Sequence, residues 1–114
     1  MLVALALRRI ETSVVNGLGK NVVVGVLRIE LFIPESGSLK SKRFAIKSIK
    51  DRLKYRFNVS VAEIDNCDKW QRASIGIAAV ANETKFIESV LNKALELVYG
   101  DRRVEVIDSS IVYY

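Results

Sequence analysis

The chain contains no histidine and a single cysteine, Cys67. Without histidine the commonest general base and metal ligand is missing. Cys67 has no imidazole to activate it, so nucleophilic thiol chemistry is not expected. One cysteine cannot close an internal disulfide, which fits a reducing cytosol, although a cysteine-poor secreted protein reads the same. Neither a GxGxxG nor a Walker-type phosphate loop occurs. No internal repeat or low-complexity segment is present. The apolar run Leu2–Leu7 is too short to span a bilayer. A secretory signal carries positive charge before its apolar run, whereas Arg8 and Arg9 follow this one. No membrane partner and no cofactor are expected.

What is present is one domain's worth of chain: 114 residues, half of them hydrophobic, with a formal net charge of +5. The charge is not evenly spread. Between Ser38 and Arg56 lie eight basic residues and one acid, Asp51, a local net charge of +7. The remainder of the chain therefore carries −2. A basic balance alone is weak evidence for an anionic partner, but its confinement to one segment is more informative.

Periodicity predicts six elements. Val22–Ile33 alternates Arg28 and Glu30 against Leu27, Ile29 and Leu31, a strand with one buried face. Pro34 and Gly37 end it. Ser38 can cap a helix in which Leu39, Ile46, Ile49 and Leu53 recur at helical spacing. Phe57–Ile64 reads as a second strand, Asn66-Cys67-Asp68 as a turn, and Trp70–Ala81 as a third strand. Asn82 can cap a second helix with an apolar stripe of Phe86, Ile87, Val90, Leu91, Ala94 and Val98, ended by Gly100. Val104–Tyr113 completes a β-α-β-β-α-β order. That order predicts a ferredoxin-like α+β fold, a four-stranded antiparallel sheet with two helices on one face.

The first 21 residues stand apart, ending in the turn-rich Asn16-Gly17-Leu18-Gly19-Lys20-Asn21. They read either as a native arm or as an extension from a start-site miscall, since Val22, Val23 and Val24 offer alternative starts. The domain proper is expected over residues 22–114.

In the first helix, Lys40, Arg43, Lys47, Lys50 and Lys54 follow steps of three and four and form one stripe. Stacked like charges repel, and a stripe of them suits phosphates, whose neutralisation releases counterions. The helix start adds unpaired N–H groups after Ser38, with Lys40, Lys42 and Arg43 opposing the dipole there. The expected phosphate-binding set is therefore Ser38, Lys40, Lys42, Arg43, Lys47, Lys50 and Lys54. The competing reading is a solvated face that aids solubility. Phe44 and Tyr55 project away from the core side, to stack on bases or to bury in a partner chain; alternatively the N-terminal arm covers Phe44.

Two other groups are weaker. Glu63, Asp65 and Asp68 around the second turn could hold a divalent ion, though turn acids usually serve backbone geometry. Trp70 and Arg72 could clamp a polar ligand, although core packing is the commoner role of such an indole. RNA-binding domains of this topology place aromatics on the central strands. The outward positions here are Arg28, Glu30, Ser74, Gly76 and Ala78, so base stacking on the sheet is not expected.

Four segments carry a family resemblance: Val23–Leu31, Ser38-Leu39-Lys40-Ser41-Lys42-Arg43, Ala62-Glu63-Ile64-Asp65 and Asp68-Lys69-Trp70-Gln71-Arg72-Ala73. Together they resemble the bacterial YlxP-like family from about Val23 to Ile107. The resemblance implies a ferredoxin-like fold, a cytoplasmic protein, and a gene often near those of translation factors. It supplies no catalytic residues. Phe44 and Cys67 depart from the family's more polar pattern. The expectation is a small non-enzymatic protein associated with RNA or the ribosome through its basic first helix. The alternative is a homo-oligomeric interaction module, because Ile111, Val112, Tyr113 and Tyr114 are unlikely to stay bare.

Overall fold

The computed structural model describes residues 21–114, and the expectations for residues 1–20 lie outside them. Six elements follow in order: β1 (Val23–Phe32), α1 (Leu39–Arg56), β2 (Ser60–Asp65), β3 (Arg72–Ala81), α2 (Thr84–Tyr99) and β4 (Glu105–Tyr113). The sheet order is β2-β3-β1-β4, with every neighbouring pair antiparallel. This is the ferredoxin-like arrangement that the hydrophobic periodicity predicts.

Strand alternation decides which side is buried. Leu27, Ile29 and Leu31 of β1 and Ala73, Ile75, Ile77 and Ala79 of β3 point inward. They join Ile46, Ile49 and Leu53 of α1 and Ile87, Leu91, Ala94 and Val98 of α2 in one cluster. Both helices therefore cover the same sheet face. The opposite face carries Arg28, Glu30, Ser74, Gly76 and Ala78, which alternate with the buried positions along the central strands.

Gly25 lets α2 approach β1 closely. A Cβ at that position would collide with Ile87 Cγ2 and lie 3.1 Å from Leu91 Cδ1. Packing at this density leaves no room for an added methyl without displacement.

Several boundaries shift for physical reasons. β2 begins at Ser60, because α1 runs to Arg56 and is capped at Phe57, and β3 begins at Arg72, because the turn before it takes in Trp70 and Gln71. Gln71 closes that turn onto the end of β1: Ile33 N donates to Gln71 O at 2.9 Å, and Gln71 Nε2 donates to Pro34 O at 3.0 Å. Trp70 is consequently exposed at 56% rather than packed in the core. The residue preceding α2 is Glu83, not Asn82, and no side chain caps that helix start. Phe86 falls outside the apolar stripe and is exposed. The apolar end of β4 is not bare. Ile111 and Tyr113 pack against the core, Val112 is buried, and Tyr114 N donates to Val24 O at 2.7 Å.

Candidate nucleic-acid interface

The start of α1 is built as the sequence suggests. Ser38 adopts extended backbone and its hydroxyl accepts from Ser41 N at 3.1 Å, while its carbonyl accepts from Lys42 N. No acid lies in the first turn. Lys40 and Arg43 are exposed there, two cations at the positive end of a helix dipole.

Lys42 does not join them. Its side chain is fully buried, and its ammonium donates to Asn66 O at 2.7 Å and Arg72 O at 3.1 Å. Glu63 Oε2 lies 2.8 Å from the same nitrogen. That oxygen is off the hydrogen-bond axis and otherwise unbonded, so the contact is an ion pair and not an aligned hydrogen bond. The two carbonyls take two of the ammonium's donor directions, and the carboxylate neutralises its charge. Lys42 is therefore withdrawn from the phosphate-binding set: a cation with no exposed surface and three close protein oxygens is not available to a backbone phosphate.

The signal was in the sequence. Lys42, Ile46, Ile49 and Leu53 are spaced by four, three and four, which places the lysine on the core stripe. On β2, Glu63 follows Val61 by two and so faces inward as well. Two inward-facing residues of opposite charge pin the start of α1 to the β2–β3 turn.

That turn is itself a hydrogen-bonded unit. Asn66 sits at φ 61°, the left-handed region that asparagine tolerates better than most residues. Its backbone N–H is accepted by Asp65 Oδ1 at 2.8 Å, and its Nδ2 donates to Ser74 Oγ at 2.8 Å. The Ser74 hydroxyl donates to Glu30 Oε2, and Arg28 Nε donates to Glu30 Oε1 at 2.9 Å. Burial pushes the Glu30 carboxyl up, but the Ser74 and Arg28 bonds and the charges of Arg28 and Arg72 outweigh it, leaving a lowered pKa. A continuous polar chain thus runs from Arg28 on the open sheet face, through Asn66, to buried Lys42.

The acids of this region do not converge. A register shift between Glu63 and Asp65 turns consecutive acids apart. Glu63 faces Lys42, Asp65 bonds its neighbour's amide, and among the described residues no group of three or more potential ligands is placed to hold a metal ion. Cys67 is a free, exposed thiol. Arg72 alternates with inward Ala73 and so lies on the open sheet face, away from the helices. Arg72 is therefore not brought onto the α1 surface, while Trp70 stays exposed in the β2–β3 turn.

The outer surface of α1 keeps the rest of the predicted set. Lys40, Arg43, Lys47 and Lys54 are exposed and Lys50 is half-buried. Only Lys47 is ion-paired with a described residue, to Asp51 at 2.7 Å. The Lys47 hydrogen bond, against a smaller desolvation effect and with help from Lys47, Lys54 and Lys50 charges, holds the Asp51 carboxyl below its usual value. Helical geometry places Phe44 and Tyr55, 73% and 91% exposed, at the centre of this surface with the lysines along one flank.

The other flank is tied down. Asp101, buried in the α2–β4 connection, accepts from Arg52 Nη1 at 3.2 Å and from Arg103 Nη2 at 2.6 Å, Nε at 3.0 Å and backbone N at 3.0 Å. Arg103 also donates to Ser48 Oγ at 3.0 Å. The Arg103 hydrogen bond, chiefly, lowers the Asp101 pKa, and Asp101 in turn raises that of Arg103. Charge density alone did not separate Arg52, which is committed to this cluster, from the lysines of the free flank.

Residues 24–111 match the model of a family described as a protein of unknown function, DUF503. The chain belongs to that family. Within it, the uncharacterized protein YlxP of Bacillus subtilis (strain 168) is similar, at 41% identity over 83 residues. That alignment covers 73% of this chain and 90% of the relative. The de novo designed protein Foldit4 resembles the chain in structure at a TM-score of 0.48 and 18% identity. This match covers 82% of this chain and 96% of that one, and the likeness is too loose to argue from. No helix among the described residues is long and apolar enough to cross a membrane.

Proposed function

We propose that this protein is a small non-enzymatic cytoplasmic factor that binds RNA, on the ribosome or free, through the outer surface of α1. The supporting observation is the exposed flank of Lys40, Arg43, Lys47, Lys50 and Lys54, in which a single acid, Asp51, offers compensation. Like charges along a helix destabilise it unless a counter-charge arrives. A phosphate backbone supplies that charge, and the released counterions drive association. Ser38 contributes the helix start, where the dipole favours an anion. Arg72, on the open sheet face, and Trp70, in the β2–β3 turn, are secondary contacts at most, for a large partner that extends beyond α1.

Titration of a structured ribosomal RNA fragment across a salt series tests this. Affinity is expected to fall steeply with salt, and the triple variant Lys40→Ala/Arg43→Ala/Lys47→Ala is expected to lose most of it. Unchanged affinity in that variant would sink the proposal.

Self-association is a second reading, favoured by the apolar part of the open sheet face, where Ile64 and Val80 are 48% and 65% exposed. A sedimentation profile of monomer alone at all accessible concentrations removes it.

A further inference from the structure

We propose that the RNA bound by α1 is single-stranded, with bases seated against Phe44 and Tyr55 while its phosphates follow the lysine flank; this rests on the RNA-binding reading above. Phe44 and Tyr55 are eleven residues apart. At about 100° and 1.5 Å per residue they share one helix face, roughly 20° apart in direction and about 16 Å apart along the axis. They are among the most exposed large hydrophobic side chains described, at 73% and 91%. Neither contributes to the core.

Each aromatic borders a hollow. Beside Tyr55, a hollow of about 450 Å³ is lined by Asp51, Arg52, Arg56 and Leu97. Beside Phe44, one of about 310 Å³ is lined by Lys47, Ser48, Asp51 and Arg52. Both fall at the smaller end of ligand-site volumes. Each combines an aromatic wall with at least one cation and hydrogen-bonding groups, a combination suited to a base ring and its polar edge.

The choice between strand forms follows from what each form exposes. In an A-form duplex the base faces are stacked inside and the protein meets phosphates, 2′-hydroxyls and groove edges. Bare aromatics at the centre of a basic face gain nothing from such a partner. An unpaired strand or loop offers its base faces, and aromatic stacking plus a cationic track is the usual way of holding it. Asp51 lies between the two aromatics, neutralised by Lys47.

Fluorescence anisotropy with a labelled twelve-nucleotide oligouridine and a twelve-base-pair RNA duplex tests the proposal, using the whole chain at low salt. The single strand is expected to bind tighter than the duplex. Phe44→Ala and Tyr55→Ala should each weaken it by roughly five- to a hundredfold, the range of a lost stacking contact, with the salt dependence unchanged. Because both side chains are exposed, melting temperatures should match the parent, so loss of binding cannot be ascribed to unfolding. The triple variant Lys40→Ala/Arg43→Ala/Lys47→Ala should instead flatten the salt slope by about 2.

Equal affinity for the duplex, with both aromatic variants binding like the parent, overturns the single-strand assignment and leaves the RNA-binding proposal standing. Aromatic variants that convert a dimer to a monomer without affecting RNA overturn it too, assigning the face to a second copy. Absence of salt-dependent binding to either probe removes the parent proposal as well.

Discussion

Lys42 Nζ and Glu63 Oε2 lie 2.8 Å apart at the junction of α1 with β2, the lysine without exposed surface and the glutamate side chain 17% exposed. The pair sits where the Ser38–Arg43 and Ala62–Asp65 segments meet and ties the start of α1 to β2. Buried pairs are weak net stabilisers, but removing one partner strands the other. Lys42→Met should therefore cost about 3–5 kcal/mol, leaving Glu63 and two carbonyls without their cation. Lys42→Met/Glu63→Leu should recover part of that loss. Urea denaturation of both variants checks the sign. A single variant as stable as the parent contradicts the assignment.

The same helix separates two kinds of lysine. Lys40→Ala and Lys54→Ala should leave the denaturation midpoint within about 0.5 kcal/mol of the parent, as surface changes do. They should still weaken RNA binding. Side-by-side midpoints and affinities for the three lysine variants measure the division.

Asp101 gives a pH dependence whose sign is fixed. Its folded pKa is lowered, chiefly by the Arg103 hydrogen bond. The unfolded chain therefore binds its proton first as pH falls. The stabilisation is complete above about pH 5 and is lost as pH drops through the lowered folded value. Asp101→Asn should cost about 1.5–3 kcal/mol at pH 7, the range for hydrogen bonds to a charged group. It should also flatten the acid limb of the stability profile. Thermal melts between pH 3 and pH 7, settings on the order of the carboxylate range, provide the comparison.

Close packing at Gly25 has its own test. Gly25→Ala forces a methyl against Ile87 and Leu91. It should destabilise by about 1–3 kcal/mol, as overpacking does. Pairing it with Ile87→Ala, which removes the Ile87 Cγ2, should cost less than the sum of the two single changes, which a denaturation cycle of the four chains measures.

Sequence patterning carried the fold because each element has its own period. Arg28 and Glu30 alternate with buried Leu27, Ile29 and Leu31, and Ile46, Ile49 and Leu53 repeat at helical spacing, so element order followed. The site was less legible because charge is a weaker guide than periodicity. Lys42 looks like its basic neighbours until its place on the core stripe is weighed against an inward glutamate on β2. Arg52 is drawn to Asp101, 49 positions away in the chain, a contact no local pattern announces. An aromatic at position 70 suits a strand, whereas Gln71 closes the turn one residue later and leaves the Trp70 indole outside.

Asp51 allows a change expected to strengthen binding. Asp51→Asn removes the sole acid on the α1 surface and releases Lys47. RNA affinity should rise at low salt and converge with the parent at high salt, which a misfolded variant would not imitate. Anisotropy at two ionic strengths reads it.

The most direct measurement is co-sedimentation with ribosomes at low and high salt, comparing the parent chain with Lys40→Ala/Arg43→Ala/Lys47→Ala. The parent should pellet at low salt and be released at high salt, and the folded triple variant should stay in the supernatant throughout. Equal pelleting of the two chains, or no pelleting of the parent at low salt, contradicts a ribosome-binding role for the basic helix.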